Sequence, residues 1–380
     1  MAQTLRVGAS LSLTGPFSPM GRQARAAVEL WAEEVTRAGG IDFRPGEKRA
    51  VPRLVLLDDG SRRKEAARLT HRLIRDEGVE ILLGPYSSAL TLAAAPVAED
   101  FEIPLWNHGG SADALYERGF RFLVGVVPPA STYFRGAFEW AREAGFAGGR
   151  VALLHGARGG FPAAVAGGAL RWAGEGGFEV VLRRTYPSSA AGLARLTGEL
   201  RAIRPDLILG AGRFEEDLAF ARALREATVA AKAAVLVAAG VSAFGDALGG
   251  DADGFLGPSQ WEAEGGGGSP PEIGPTGKDF AKRLTARLGA PADYPAAQAY
   301  AACLIAERCL RSAGMGNPAR LRDAASSLRL TTFFGPFEID PGSGRPLGVR
   351  APLLVQWRGG RRVIVWSPSR GLVTPTVSFR

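Results

Sequence analysis

The chain has 380 residues, of which 46% are apolar and 22% charged, a composition that excludes wholesale disorder and is long enough for two hydrophobic cores. Lys and Arg outnumber Asp and Glu by 46 to 38, a formal charge of +8, but acidic residues are interspersed along most of the chain. No nucleic-acid footprint follows: basic groups are not interleaved with aromatic platforms, and the densest basic stretch, Arg358 to Arg362, reads as a hairpin turn.

In chain order, Leu5, Val7, Ala9, Leu11 and Leu13 alternate with Arg6, Gly8, Ser10 and Ser12, which predicts a strand with one buried face. Helical spacing then takes over, with Ala24, Val28, Trp31 and Val35 on one face and Arg22, Arg25, Glu29 and Glu33 on the other. The unit is strand, loop, helix, and it recurs. "VPRLVLLDDGS" precedes the helical "RRKEAARLTHRLIRDEG", "VEILLGPYSS" precedes "ALTLAAAPVAEDF", and "IPLWNHGGSAD" precedes a short helix. A second series starts at Arg150 with "RVALLHGARGGF", "FEVVLRRTYP", "PDLILGAGRFEED" and "AAVLVAAGVSAFGDAL". Both series predict doubly wound parallel sheets, whose ligands bind at the carboxyl ends of the strands. "GGGGSPPEIGPTG" reads as a mobile surface loop, and the tail turns to β, with "PLLVQW" and "RVIVW" joined by Arg358, Gly359 and Gly360 as a hairpin.

Cys303 and Cys309 lie six apart in a helical run, about 9 Å of axial rise, too far for a disulfide within one helix. No basic segment followed by an apolar core and a cleavage site opens the chain, so the expectation is a cytoplasmic protein or a mature form without its leader. No run of about 18 apolar residues predicts a membrane span.

Catalytic and cofactor motifs are missing. "GAGRFE" at Gly210 to Glu215 has Glu215 where the third glycine of a dinucleotide fingerprint belongs, and neither a P-loop, a zinc-protease helix nor a G-x-S-x-G elbow occurs. His71, His108 and His155 lack metal-ligand spacing; His71 reads as a helix-surface residue, while His108 and His155 end strands. Hydroxyls and glycines follow the strands instead: Ser12, Thr14 and Gly15; Ser87 and Ser88; Gly109, Gly110 and Ser111. Such residues cap helices, and helix-end amides also receive carboxylates.

"LRVGASLSLTGPFSPMGRQARAAVELWAEEVTRAGGI", "ILLGPYSSALTLAAAPVAEDFEIPLWNHGGSAD", "GFLGPSQW" and "TTFFGPFEID" together resemble type I extracytoplasmic solute-binding proteins of the leucine/isoleucine/valine-binding class. The resemblance covers nearly the whole chain. It implies a type I periplasmic-binding-protein fold, two doubly wound parallel-sheet lobes joined by three crossings. Lobe one is expected to comprise 1–128 plus 258–333, and lobe two 129–257 plus 334–380. The implied function is capture of a small carboxylate, amide or amino-acid-like ligand between the lobes and its delivery to a membrane ABC permease. With it go a monomeric, extracytoplasmic protein, no catalysis, no cofactor, no metal and no nucleic acid. The alternative is a cytoplasmic amide-type sensor on the same fold.

By the same resemblance the loop from Ser12 to Phe17 faces the ligand, Ser87, Ser88, Gly109 and Ser111 grip its polar head, and Tyr133 and Phe161 close over it. His108, Tyr86, Trp106 and Trp261 are further candidates for the pocket. One departure stands out: branched-chain amino-acid binders carry an acid shortly after a second-lobe strand, where this chain has Val241 and Ser242. Asp246, Glu215 or Glu262 would have to replace it, so the expected ligand is an aromatic or aliphatic carboxylate or amide in preference to an α-amino acid.

Overall fold

The structure, a computed structural model, describes residues 3–43, 49–265, 270–348, 350–376 and 379. Two compact units divide the chain: Met1–Pro128 with Ser269–Arg350, and Pro129–Gly268 with Ala351–Arg380.

The first unit opens with β1 (Gln3–Leu11), α1 (Ser18–Arg37), β2 (Ala50–Asp58), α2 (Arg63–Arg75), β3 (Ile81–Leu83), α3 (Ser88–Asp100), β4 (Leu105–Asn107) and β5 (Leu123–Gly125). Its five strands are all parallel, in the order β2-β1-β3-β4-β5. As the spacing predicts, α1 buries Ala24, Val28, Trp31 and Val35 and leaves Arg22, Arg25 and Glu33 exposed. The alternation in β1 misleads, because Val7 to Leu11 is buried without a break. An interior parallel strand with helices on both sheet faces has no solvent face. Gly8 lies against Val79 and Leu73, and Ser10 is held by a buried carboxylate.

The second unit begins with α4 (Arg135–Glu143), β6 (Arg150–His155), α5 (Gly160–Glu175), β7 (Glu179–Thr185), α6 (Ala190–Ile203) and β8 (Leu207–Ala211). It continues through α7 (Phe214–Glu226), β9 (Ala233–Leu236), α8 (Ser242–Leu248) and β10 (Leu256–Ser259). Strand order β7-β6-β8-β9-β10 repeats the winding of the first unit. Val151 and Leu153 on one face of β6 pack in one core, Ala152 and Leu154 on the other face in a second. Each such leucine contributes about 1.5–3 kcal/mol through burial.

The chain then returns to the first unit with α9 (Gly277–Leu288), α10 (Tyr294–Ala313), α11 (Pro318–Ser327) and the hairpin β11 (Leu330–Thr332) and β12 (Gly335–Phe337). It ends in the second unit with β13 (Leu353–Arg358), β14 (Arg361–Ser367) and β15 (Gly371–Leu372), antiparallel additions beside β10. Gly359 and Gly360 make the β13–β14 turn with φ of 54° and 74°, the left-handed pair that a two-residue hairpin needs. Cys303 and Cys309 are free and buried in α10.

Two expected boundaries are corrected. Residues from 258 stay with the second unit because β10 is paired on both sides, with β9 and β13. A break at 333/334 would cut the β11–β12 hairpin, and the residues after it are tied to the first unit by the Gly125 amide donating to the Gly344 carbonyl (2.9 Å) and by Arg345 on Asp113 (3.1 Å). Of the expected mobile loop, residues 266–269 lie outside the described residues. Among the described residues no helix is long and apolar enough to cross a membrane.

Candidate functional site

At the carboxyl edge of the first sheet, the loop after β1 is fastened by Asp58, the last residue of β2, and Asp59, which follows it. Ser12 and Ser10 donate to Asp59 at 2.7 and 3.1 Å; Thr14 donates to Asp58 through its hydroxyl (2.7 Å) and its amide (3.2 Å), and the Leu13 amide joins it at 2.9 Å. The hydroxyls expected to face a ligand are therefore committed to Asp58 and Asp59, which sequence reasoning missed. Burial pushes the Asp59 carboxyl up against the pull of these hydroxyls. At Asp58 burial also pushes up, but the Thr14 hydroxyl and three amides together outweigh it and hold the carboxyl below its usual range. Phe17 is half-buried, with its ring 6.0 Å from that of Tyr86.

The loops after β3 and β4 are zipped together. The Ser87 amide donates to the Gly109 carbonyl at 3.1 Å, and a Cβ on Gly109 would come within 2.6 Å of the Tyr86 Cα. Ser88 Oγ accepts the amides of Ser111 (3.1 Å) and Ala112 (2.9 Å). Asn107 Oδ1 accepts the Gly110 amide at 2.7 Å, and its Nδ2 donates to the Gly110 carbonyl and to Tyr116. The amides of Gly110 and Ser111 thus turn inward to Asn107 and Ser88. In these two contacts Ser88 Oγ acts as acceptor, and its hydroxyl proton is not spent. Ser87 caps α3 by accepting the Leu90 amide (3.4 Å) and holds φ at 87°, a strained conformation for a residue with a Cβ. Such strain persists where surrounding contacts fix it, and it clusters at ligand sites.

Trp106 and His108 are both 0% exposed. Trp106, expected in a pocket wall, is a core residue of β4. Among the described residues neither ring nitrogen of His108 has a hydrogen-bond partner, and burial pushes the imidazole down to about 4. His108 is thus a neutral group beneath the Gly109–Ser111 loop.

In the second unit Tyr133 and Phe161 form an edge-to-face pair with centroids 5.2 Å apart, and Gln260 donates to the Tyr133 hydroxyl. Trp261 is 5% exposed. None of the three substitute acids offers an uncommitted buried charge. Asp246 and Glu215 are exposed, while Glu262 faces Arg362 across 3.5 Å with both residues half-buried. His155 engages the neighbouring Gly156 carbonyl through Nδ1 at 3.0 Å. Among the described residues no cluster of three or more His, Cys, Asp and Glu side chains suits a metal ion.

Known proteins converge on one family. Residues 4–361 match the model described as periplasmic binding protein. The chain belongs to that family. The leucine/isoleucine/valine-binding protein homolog 8 of Brucella abortus (strain 2308) is 28% identical over 231 residues, 59% of this chain and 55% of that protein. The chain thus spans little more than half the length of this curated relative. Among solved structures, a branched-chain amino acid transporter substrate-binding protein, LivJ from Streptococcus pneumoniae in complex with isoleucine, superposes with a TM-score of 0.79 at 19% identity, over 95% of this chain and 98% of that one. A solute-binding protein of an ABC transporter from R. palustris in complex with benzoate gives 0.74 at 21% identity, over 99% and 98%. These likenesses fix the periplasmic-binding-protein fold. The family's relatives here are binding proteins, not enzymes.

Proposed function

We propose that this periplasmic binding protein is an extracytoplasmic solute-binding component of an ABC transporter that captures a small carboxylate or amide and delivers it to a membrane permease. The family match along residues 4–361 carries this reading. Isoleucine and benzoate, the ligands named for two structural neighbours, share only a carboxylate among their polar groups. The first unit's edge suits such a head group, with the Ser87, Ser88 and Ser111 side chains beside the amino end of α3. Tyr133 and Phe161 close over the ligand, the role that the resemblance to the family implies for them.

Ligand class follows from the second unit. Burying an ammonium without a counter-charge is costly, Val241 and Ser242 carry no acid, and Glu262 is already matched by Arg362. Carboxylates and amides are therefore favoured over α-amino acids. A thermal-shift screen of amino acids, amides, ureas and aromatic acids tests this, since a ligand at 100 times its dissociation constant stabilises by about 2.7 kcal/mol. Paired calorimetric titrations of a carboxylic acid and its α-amino analogue should favour the acid; tighter binding of the amino acid would overturn the ligand class.

A further inference from the structure

The glycines of "GAGRFE" have a use other than phosphate binding. A Cβ on Gly210 would come within 2.3 Å of the Tyr186 hydroxyl, and one on Gly212 within 2.6 Å of the Tyr186 ring and 2.7 Å of Asp217 Oδ1. They make room for a buried pair. Tyr186 donates to Asp217 Oδ1 at 2.9 Å, the Gly212 amide donates to the same oxygen at 2.8 Å, and the Ala238 amide donates to Oδ2 at 2.8 Å. Asp217 sits in the first turns of α7 and is 0% exposed. Tyr186 follows β7, Gly212 follows β8, and Ala238 lies in the 3₁₀ turn Val237–Gly240 after β9. One carboxylate therefore joins three strand ends on the carboxyl edge of the second sheet.

We propose that Asp217 is a positioning residue whose ionised carboxylate fixes the Val237–Gly240 turn, and with it Val241 and Ser242, and whose protonation releases that turn. The inference rests on the binding-protein reading for one point only, that Val241 and Ser242 stand where the family meets its ligand. The chemistry of release is local. Oδ1 serves two donors and Oδ2 one, so a proton is accommodated on Oδ2. An O–H there opposes the Ala238 N–H, donor against donor, and that bond is lost. Burial pushes the Asp217 carboxyl up to about 7 despite its three donors, with Glu216 on the same helix adding to the rise, so release falls in the neutral range. Tyr186 from the end of β7 and Glu216 are the ionisable groups acting on it, and among the described residues no cation pairs with it. His155, at the end of β6, accepts the Tyr186 amide on its carbonyl (2.8 Å), and Arg213 and Glu215 follow Gly212 at the start of α7.

Hydrogen exchange of the intact protein from about pH 5.5 to 8.5, with rates divided by the intrinsic chemical rate, tests the brace without a ligand. Wild-type protection over 236–241 should fall about tenfold or more as pH drops through the neutral range. Asp217→Asn should be weakly protected and flat, Tyr186→Phe should move the midpoint to higher pH, and His155→Gln should leave the profile unchanged. A flat wild-type profile, or a wild-type response in Asp217→Asn, overturns the proposal. If Asp217→Asn does not fold, a midpoint unmoved in Tyr186→Phe overturns it equally. L-isoleucine and benzoate serve as binding probes in a separate arm. Either one that binds should weaken with the same midpoint, and a pH-independent affinity overturns the link to the ligand edge. Failure of both to bind counts against this ligand class and leaves the exchange result to decide the brace.

Discussion

In the first unit the strand ends are laced by short polar side chains on the loops themselves: Ser12 and Thr14 to Asp59 and Asp58, Ser88 to the Ser111 and Ala112 amides, Asn107 to Gly110. In the second unit, with the same winding, a single carboxylate from helix α7 gathers three ends. Contacts spread over several side chains tolerate the loss of one. A buried ion concentrates the task in one group and makes it answer to pH.

Each unit buries ionisable groups, and His108 of the first and Asp217 of the second respond to pH in opposite directions. His108 falls from 6.5 to about 4, so it gives up its proton on folding; the first unit keeps full stability above pH 6.5 and loses it as pH falls through about 4. Asp217 rises from 3.8 to about 7, so it takes up a proton on folding; its contribution is complete below pH 3.8 and is lost as pH rises through about 7. The full effects are on the order of 3 kcal/mol for His108 and 4 kcal/mol for Asp217. Native-state hydrogen exchange should therefore show β3 and β4 of the first unit losing protection in acid while β8 of the second, which lies outside the released turn, gains it. Parallel responses would break the comparison. His108→Phe should flatten the first unit's profile alone. The ion that fastens Ala238 is also the one whose burial costs its unit most.

Much of this architecture was legible in the sequence, for a local reason. Strand, loop and helix alternate through periodicities of two and 3.6 residues, and Gly359–Gly360 announces its hairpin. The site was less legible because its partners are distant in sequence. Nothing near Ser12 reveals Asp59, 47 residues on, and nothing near Glu262 reveals Arg362. Tyr186 and Asp217 are 31 apart, and the glycines between them read as a broken nucleotide motif until the phenol is seen to fill the space. The β1 alternation failed since a central strand is buried on both faces whatever its pattern, and the crossing near 333 was misplaced since hairpin pairing across it is a tertiary fact.

A smaller effect sharpens the contrast on the first unit's side. Ser88→Ala removes the acceptor of two buried amides at once, and each amide left unpaired costs about 1–3 kcal/mol. Stability measured by denaturant should fall by about 2 kcal/mol or more, the sum for two amides, with m unchanged, and protection of Ser111 and Ala112 should fall more than that of Gly110, which Asn107 still holds. Equal loss across 109–112 would show the loop to be one cooperative piece, not a set of separate ties.

The least effect is expected at Tyr133, where the second unit resembles the first in relying on a neutral contact. Its hydroxyl accepts from Gln260, while the ring is 5% exposed and meets Phe161 edge-on. Tyr133→Phe keeps the ring and the aromatic pair and removes one neutral hydrogen bond, worth about 1 kcal/mol. Melting should shift by only a few degrees. If Tyr133 also covers the ligand with its ring, affinity for a bound carboxylate should stay within about threefold, whereas Tyr133→Ala, which deletes the ring, should weaken it by far more. Equal losses in the two variants would assign the contact to the hydroxyl, and the second unit would then contribute a polar group to recognition that its aromatic pair conceals.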